Sequence, residues 1–156
     1  MSEAASPEQA QPTFNIEKLY IKDLSLEVPH APSIFLEREN PQIDMQLQSE
    51  FSAIDEGIYE VTITVTLTAK LATANKVMFL IEAQQAGIFH LLNIPQVELE
   101  SVLGVICPNI IYPYLREVVT DVSVRAGFAP VLLNPINFEV LYQQQKEQAA
   151  AAATKH

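Results

Sequence analysis

A single cysteine, Cys107, stands in 156 residues, so no intrachain disulfide can form and nothing in the chain is built for an oxidising compartment. Glycine is nearly as scarce. Gly57, Gly87, Gly104 and Gly127 lie too far apart for a GxGxxG or Walker loop, which needs several glycines together to cradle phosphate, and no nucleotide cofactor is expected. Positive charge is short as well: Lys plus Arg is 9 against 19 Asp plus Glu, a formal net charge of −10. Nucleic acid and anionic lipid are polyanions and would repel such a chain. His30, His90 and His156 share no ligand spacing with Cys107 or with one another, so no metal site is expected. Long apolar runs are missing too. Val77 to Ile81 and Ile110 to Leu115 fall far below the roughly 20 residues of a spanning helix, which argues against direct membrane insertion. The opening MSEAASPEQAQP has no basic end followed by an apolar stretch, so no signal peptide is expected and the location should be cytoplasmic.

What the chain does have is apolar mass. Hydrophobic residues make up 49% and charged residues 18%, enough for a sizeable core and too apolar for a disordered chain. The length suits one domain. We expect a disordered segment at 1–12, one domain over 13–145 and a flexible tail at 146–156. All the excess charge sits early: residues 1–100 hold 15 acidic and 5 basic side chains, residues 101–156 hold 4 of each.

The charged part also carries a period-two alternation, the mark of half-buried antiparallel strands. Phe14, Ile16, Tyr20, Leu24, Leu26 and Val28 alternate with Glu17, Asp23, Ser25 and Glu27, although Leu19 and Ile21 spoil the polar face. Ile43, Met45, Leu47 and Phe51 alternate with Asp44, Gln46, Gln48 and Glu50, and Asp55-Glu56-Gly57 supplies a hairpin turn. The return limb points Tyr59, Val61, Ile63, Val65 and Leu67 inward and its threonines outward. A fourth run sets Val77, Phe79, Ile81 and Ala83 against Met78, Leu80, Glu82 and Gln84. The expected product is a four-stranded antiparallel sheet.

Between the first two strands, the prolines of Pro29 to Pro41 exclude helix or central strand, yet Ile34, Phe35 and Leu36 are strongly apolar. Such a loop either tucks its tip onto the core or walls a binding groove. Val97 to Ile106 has helical spacing, with a break expected at Cys107-Pro108-Asn109. Tyr114 to Ala126 fits helix by its spacing and strand by its β-branched residues. Pro135-Ile136-Asn137 reads as a cap that opens a last helix.

Catalytic constellations are poor. Cys107 with His90 as base is outweighed by the apolar setting of Cys107, where a cysteine behaves as a small hydrophobe. A hydrolase built on two carboxylates is outweighed by their place on a solvated strand face. The remaining features, surplus apolar surface beside an acidic face, point to a binding protein that is no enzyme and that self-associates.

Several ordered stretches resemble the SecB family of cytosolic export chaperones of Gram-negative bacteria: Tyr20 to Pro29 with Ala31-Pro32, Tyr59-Glu60-Val61, Gln85 to Phe89, Cys107 to Glu117, Gly127, and Pro135 to Phe138. The resemblance covers nearly all of 13–145. It implies an α+β subunit, a four-stranded antiparallel sheet with helices packed on one face, in a homotetramer that is a dimer of dimers. It also implies helix for Tyr114 to Ala126. The implied function is to hold unfolded preproteins without ATP and deliver them to the SecA translocase motor; a chaperone for another client, such as a toxin-antitoxin system, is the alternative. Weak single contacts would gain from several grooves gripping one chain, by a factor on the order of 10² to 10⁴. By the same resemblance, Ile34 and Phe35, both exposed, with Met45, Leu47, Phe138, Leu141 and Tyr142 line the client groove, and Asp23, Glu27, Leu80 and Glu82 meet SecA. Family tails are often acidic; this one ends in five alanines, Thr154, Lys155 and His156.

Overall fold

In a computed structural model, described over residues 11–154, strands β1 (Thr13–Glu27), β2 (Gln42–Asp55), β3 (Ile58–Leu71) and β4 (Lys76–Leu92) form one antiparallel sheet in the order β1-β4-β3-β2. Helices α1 (Gln96–Ser101), α2 (Cys107–Arg125) and α3 (Phe138–Ala153) follow, with a π-helical turn, Val102–Ile106, joining α1 to α2. The sheet and helices are those the alternation and the family resemblance call for. Of the expected disordered segment, 1–10 lie outside the described residues, and Gln11 and Pro12 lead directly into β1.

One sheet face is apolar and takes the helices. Val61, Ile63, Val65 and Leu67 of β3 and Phe79, Ile81 and Phe89 of β4 are fully buried there, and α2 covers them with Ile111, Leu115 and Val119. Each such side chain contributes roughly 1.5–3 kcal/mol on burial. The opposite face is polar: Thr64, Thr66 and Thr68 of β3 stand between Gln84, Glu82 and Leu80 of β4 and Gln48, Gln46 and Asp44 of β2.

Two β-bulges correct the reading of β1. Its register against β4 shifts between Ile16 and Lys18 and again between Ile21 and Asp23. Each extra residue reverses the inside-outside alternation. Phe14, Ile16, Leu19, Ile21, Leu24 and Leu26 therefore all fall on the helix-side face, opposite Leu91, Phe89, Gly87, Gln85, Ala83 and Ile81. Leu19 and Ile21 spoil nothing, and Tyr20 belongs to the polar face. A shift between Ala69 and Lys70 does the same in β4: Met78 is buried in the core, and Val77 faces outward opposite Lys70.

The break expected at Cys107-Pro108-Asn109 does not occur. Helix continues from Gln96 to Arg125 through both Pro108 and Pro113. Pro108 enters directly after the π turn, where the ladder changes from i→i+5 to i→i+4 bonds, so its missing N–H and its ring fall at a place already widened. This 30-residue helix is long and apolar enough to cross a membrane by length and composition, a property hidden when apolar runs are counted between interruptions. Much of its apolar side is packed against β4 and β3, as in the core helix of a globular fold.

After α2 the chain returns along it. The Thr120 hydroxyl donates to the Val131 carbonyl at 2.7 Å, the Val131 N–H to Ser123 Oγ at 2.9 Å, and Tyr112 Oη to the Asn134 carbonyl. Asn137 then caps α3, its side chain accepting from the Val140 N–H at 3.2 Å. The helix runs past residue 146 to Ala153, since alanine is the strongest helix former.

Candidate functional site

Two surfaces flank the core. On the polar sheet face, β1 and β4 bring four expected residues together: Asp23 lies opposite Gln84, Ser25 opposite Glu82 and Glu27 opposite Leu80. Asp23, Glu27 and Glu82 are exposed and Leu80 is half-buried, so an apolar side chain has Glu27 opposite it and Glu82 two residues along, with Asp23 farther down the same face. A network unforeseen from sequence closes this face toward the hairpin end. Lys22 Nζ donates to Glu60 Oε1 at 2.7 Å, and Tyr20 Oη donates to Glu60 Oε2. These two bonds hold the Glu60 carboxyl below the usual carboxylate range, while burial, then the bond to Glu60, pushes the Tyr20 phenol up to about 12. The bulge at Lys22 makes this meeting possible, and no sequence pattern announces a bulge.

The second surface is the free edge of β2 with α3 alongside. Its groove, about 650 Å³, runs between Gln46 to Ser49 of β2 and Leu141, Gln144, Gln145 and Gln148 of α3, over Thr64 and Thr66. No charged side chain lines it. Of the residues expected here, Leu141 and Leu47 line the groove, Met45 is half-buried nearby in β2, and Tyr142 lines two smaller hollows farther along the same edge. Phe138 is only 1% exposed and packs edge-on against Tyr112, with ring centroids 5.5 Å apart, so it anchors α3 from beneath rather than lining the surface. The α3 glutamines carried no signal in the sequence, because polar residues at i, i+4 in a helix read as a solvated face.

The loop from Pro29 to Pro41 requires a further correction. Ile34, expected on the surface, is 1% exposed and part of the core, because the 3₁₀ turn Ser33–Leu36 rolls it inward. Phe35 is 48% exposed and stacks on Phe128, which stacks on Phe79 of β4, with centroid separations of 5.2 and 4.7 Å. The loop tip therefore tucks Ile34 onto the core and leaves Phe35 half-exposed beside it.

Cys107 is fully buried, and desolvation pushes its thiol up to about 12, so the nucleophilic thiolate is absent at neutral pH. Among the described residues, no three His, Cys, Asp or Glu side chains come together as metal ligands.

Comparison with known proteins gives a consistent answer. The family model described as preprotein translocase subunit SecB matches residues 7–149. The protein-export protein SecB of Methylobacillus flagellatus is 56% identical over 99% of this chain and 98% of its own length. That of Aromatoleum aromaticum is 60% identical over 88% and 86%. Among solved structures, a SecB-like chaperone of Mycobacterium tuberculosis in complex with an antitoxin peptide superposes with a TM-score of 0.65 at 18% identity, covering 79% of this chain and 90% of that one.

Proposed function

This chain belongs to the SecB family, and on that premise we propose that it is an ATP-independent chaperone that binds unfolded precursor proteins, keeps them competent for export and delivers them to the SecA translocase motor. The observation that carries this reading is full-length similarity at 56–60% identity to proteins named for export. The two surfaces support it: an uncharged groove beside apolar side chains suits an extended client, and an acidic sheet face stays separate from it.

In this reading Phe35, Met45, Leu47, Leu141 and Tyr142 contact client, and Ile34 and Phe138 support them from the core. Asp23, Glu27, Leu80 and Glu82 form the SecA contact on the sheet face. Exposed apolar residues on β1 and at Ile106, Tyr114 and Val124 favour burial between subunits of a dimer of dimers. The setting is the cytoplasm, where precursors wait for export. A client from a toxin-antitoxin system is less favoured, since the antitoxin-bound relative matches at 18% identity and shares the fold alone.

The test is mass. Light scattering should give a tetramer that gains the mass of one bound client when an unfolded precursor is added. A lasting monomer, or no gain with the precursor, overturns the proposal.

A further inference from the structure

Two bulges interrupt β1, and the inserted residue of each meets a side chain of opposite sign, but the two contacts differ. Glu17, in the first, lies 3.7 Å from His90 Nδ1 with 50% of its side chain exposed. Lys22, in the second, donates to Glu60 Oε1 at 2.7 Å, and Tyr20 Oη donates to Glu60 Oε2, so that carboxylate is held at both oxygens and is 17% exposed. Glu60 belongs to β3, two strands from β1 in the order β1-β4-β3-β2, so both bonds cross β4. Ala86 of β4 stands between Tyr20 and Thr62, and it is fully buried although it faces the polar side, outside the core. Its methyl is small enough to be crossed.

Directly after this second bulge come Asp23 and Glu27. An uninterrupted strand would alternate onward from Tyr20, putting Lys22, Leu24 and Leu26 on the polar face and Asp23 and Glu27 on the helix side. The insertion of Lys22 reverses that order, and Asp23 and Glu27 come to share the polar face with Leu80 and Glu82. A bulge also bends and twists its strand, so whatever fixes the inserted residue fixes where the next carboxylates point. We propose that Lys22 is a positioning residue for this docking face: its bond to Glu60 pins the bulge and thereby aims Asp23 and Glu27 at the partner. The proposal rests on the reading of that face as the SecA contact and adds to it a residue that acts through its neighbours. Lys22 is a cation on an acidic face, so charge alone predicts that its removal strengthens attraction for a basic partner surface. Positioning predicts the reverse.

The experiment is calorimetric titration of SecA with the full-length chain and with its Lys22→Met variant, which keeps a long apolar stem and loses the ammonium. SecA binding should weaken roughly fivefold, the factor that corresponds to about 1 kcal/mol for a partly exposed ion pair. Capture of an unfolded precursor should stay within twofold. Lys22→Arg, which retains a donor for Glu60, should keep the parental affinity. Amide hydrogen exchange over Asp23 to Glu27 should quicken in Lys22→Met and not in Lys22→Arg. Unchanged or tighter SecA binding by Lys22→Met overturns the inference, as does an arginine variant that binds as weakly as the methionine one. If Lys22→Met does not fold, Glu60→Gln decides instead, compared with the parent at high salt where charge differences are screened: weaker SecA binding supports the inference and equal binding overturns it. Asp23→Lys with Glu27→Lys separates the two claims. If that pair weakens SecA binding and Lys22→Met does not, the docking reading stands and the inference falls; if that pair changes nothing, both fall.

Discussion

The ring of Tyr142 covers Gly104 so closely that a Cβ at 104 would lie 2.6 Å from two of its carbons. Gly104 sits in the π turn, and Tyr142 belongs to α3, so this contact sets how near α3 approaches the long helix and hence the width of the groove beside it. Overpacking costs typically 1–3 kcal/mol, while alanine gains up to about 1 kcal/mol over glycine in helix. Gly104→Ala should therefore lower stability by about 1–2 kcal/mol in urea unfolding and loosen α3 to proteolysis. In a Tyr142→Leu background the same change should cost much less. Equal costs in both backgrounds would mean that the ring does not set the spacing.

Ile34 and Phe35 are neighbours with opposite duties, and substitution should separate them. Ile34→Ala removes a fully buried side chain and should cost about 2–5 kcal/mol of stability. Phe35→Ala removes a half-exposed ring stacked on Phe128 and should cost about 0.5–1.5 kcal/mol, while weakening capture of an unfolded precursor severalfold. Denaturant midpoints and client-binding titrations on both variants supply the comparison; similar stability losses would contradict the division.

These two residues also mark the limit of what the sequence discloses. Strand alternation identified the sheet, and in β2 it placed Met45 and Leu47 inward and Gln46 and Gln48 outward as found, because no bulge interrupts that stretch. In β1 the same rule failed at Leu19 and Ile21, since the bulges beside Ile16 and Ile21 are backbone events without a residue signature. Periodicity also broke the long helix at Pro108, since a π turn that widens the helix just before a proline has no residue signature. Asp23 with Glu27, and Leu80 with Glu82, were each paired correctly because both lie beyond the last bulge of their strands.

For the acidic face, the expected consequence is functional separation. Reversing charge with Asp23→Lys and Glu27→Lys should weaken SecA binding roughly tenfold, more at low salt than at high salt, since exposed charges act at long range and are screened. Client binding should stay within twofold, because neither residue lines the groove. Calorimetric titration with SecA and with an unfolded precursor tests both halves. Parallel losses would show that the two surfaces are not independent.

The Tyr20-Glu60-Lys22 network predicts a direction for pH dependence. Glu60 is held as carboxylate by its two bonds, so its folded value lies below its unfolded one. The stabilisation it gives is present above the ordinary carboxylate range and is lost as pH falls through the folded value. The phenol of Tyr20 is raised to about 12, so its contribution persists up to about pH 10 and fades between there and 12. Glu60→Gln should be less stable than the parent by about 1 kcal/mol at pH 7, and the gap should narrow as the buffer is taken below pH 4. A gap that widened in acid would reverse the assigned sign.

Assembly supplies the last prediction. After its two bulges β1 presents Phe14, Ile16, Ile21, Leu24 and Leu26 on one face, each between 36% and 45% exposed, along an edge strand. Neighbouring apolar side chains on an edge invite pairing with another chain, and if subunits meet there the stripe is removed from water. Leu24→Glu places a charge within it. The cost of burying that carboxylate unpaired is several kcal/mol per subunit, enough to divide the proposed tetramer into smaller species at micromolar concentration. The monomer itself should remain folded, because Leu24 lies outside the core that α2 seals against β3 and β4. Light scattering with far-ultraviolet circular dichroism distinguishes these effects: smaller mass with native helix and strand signal is the expected result, and an intact tetramer would place the subunit contact elsewhere.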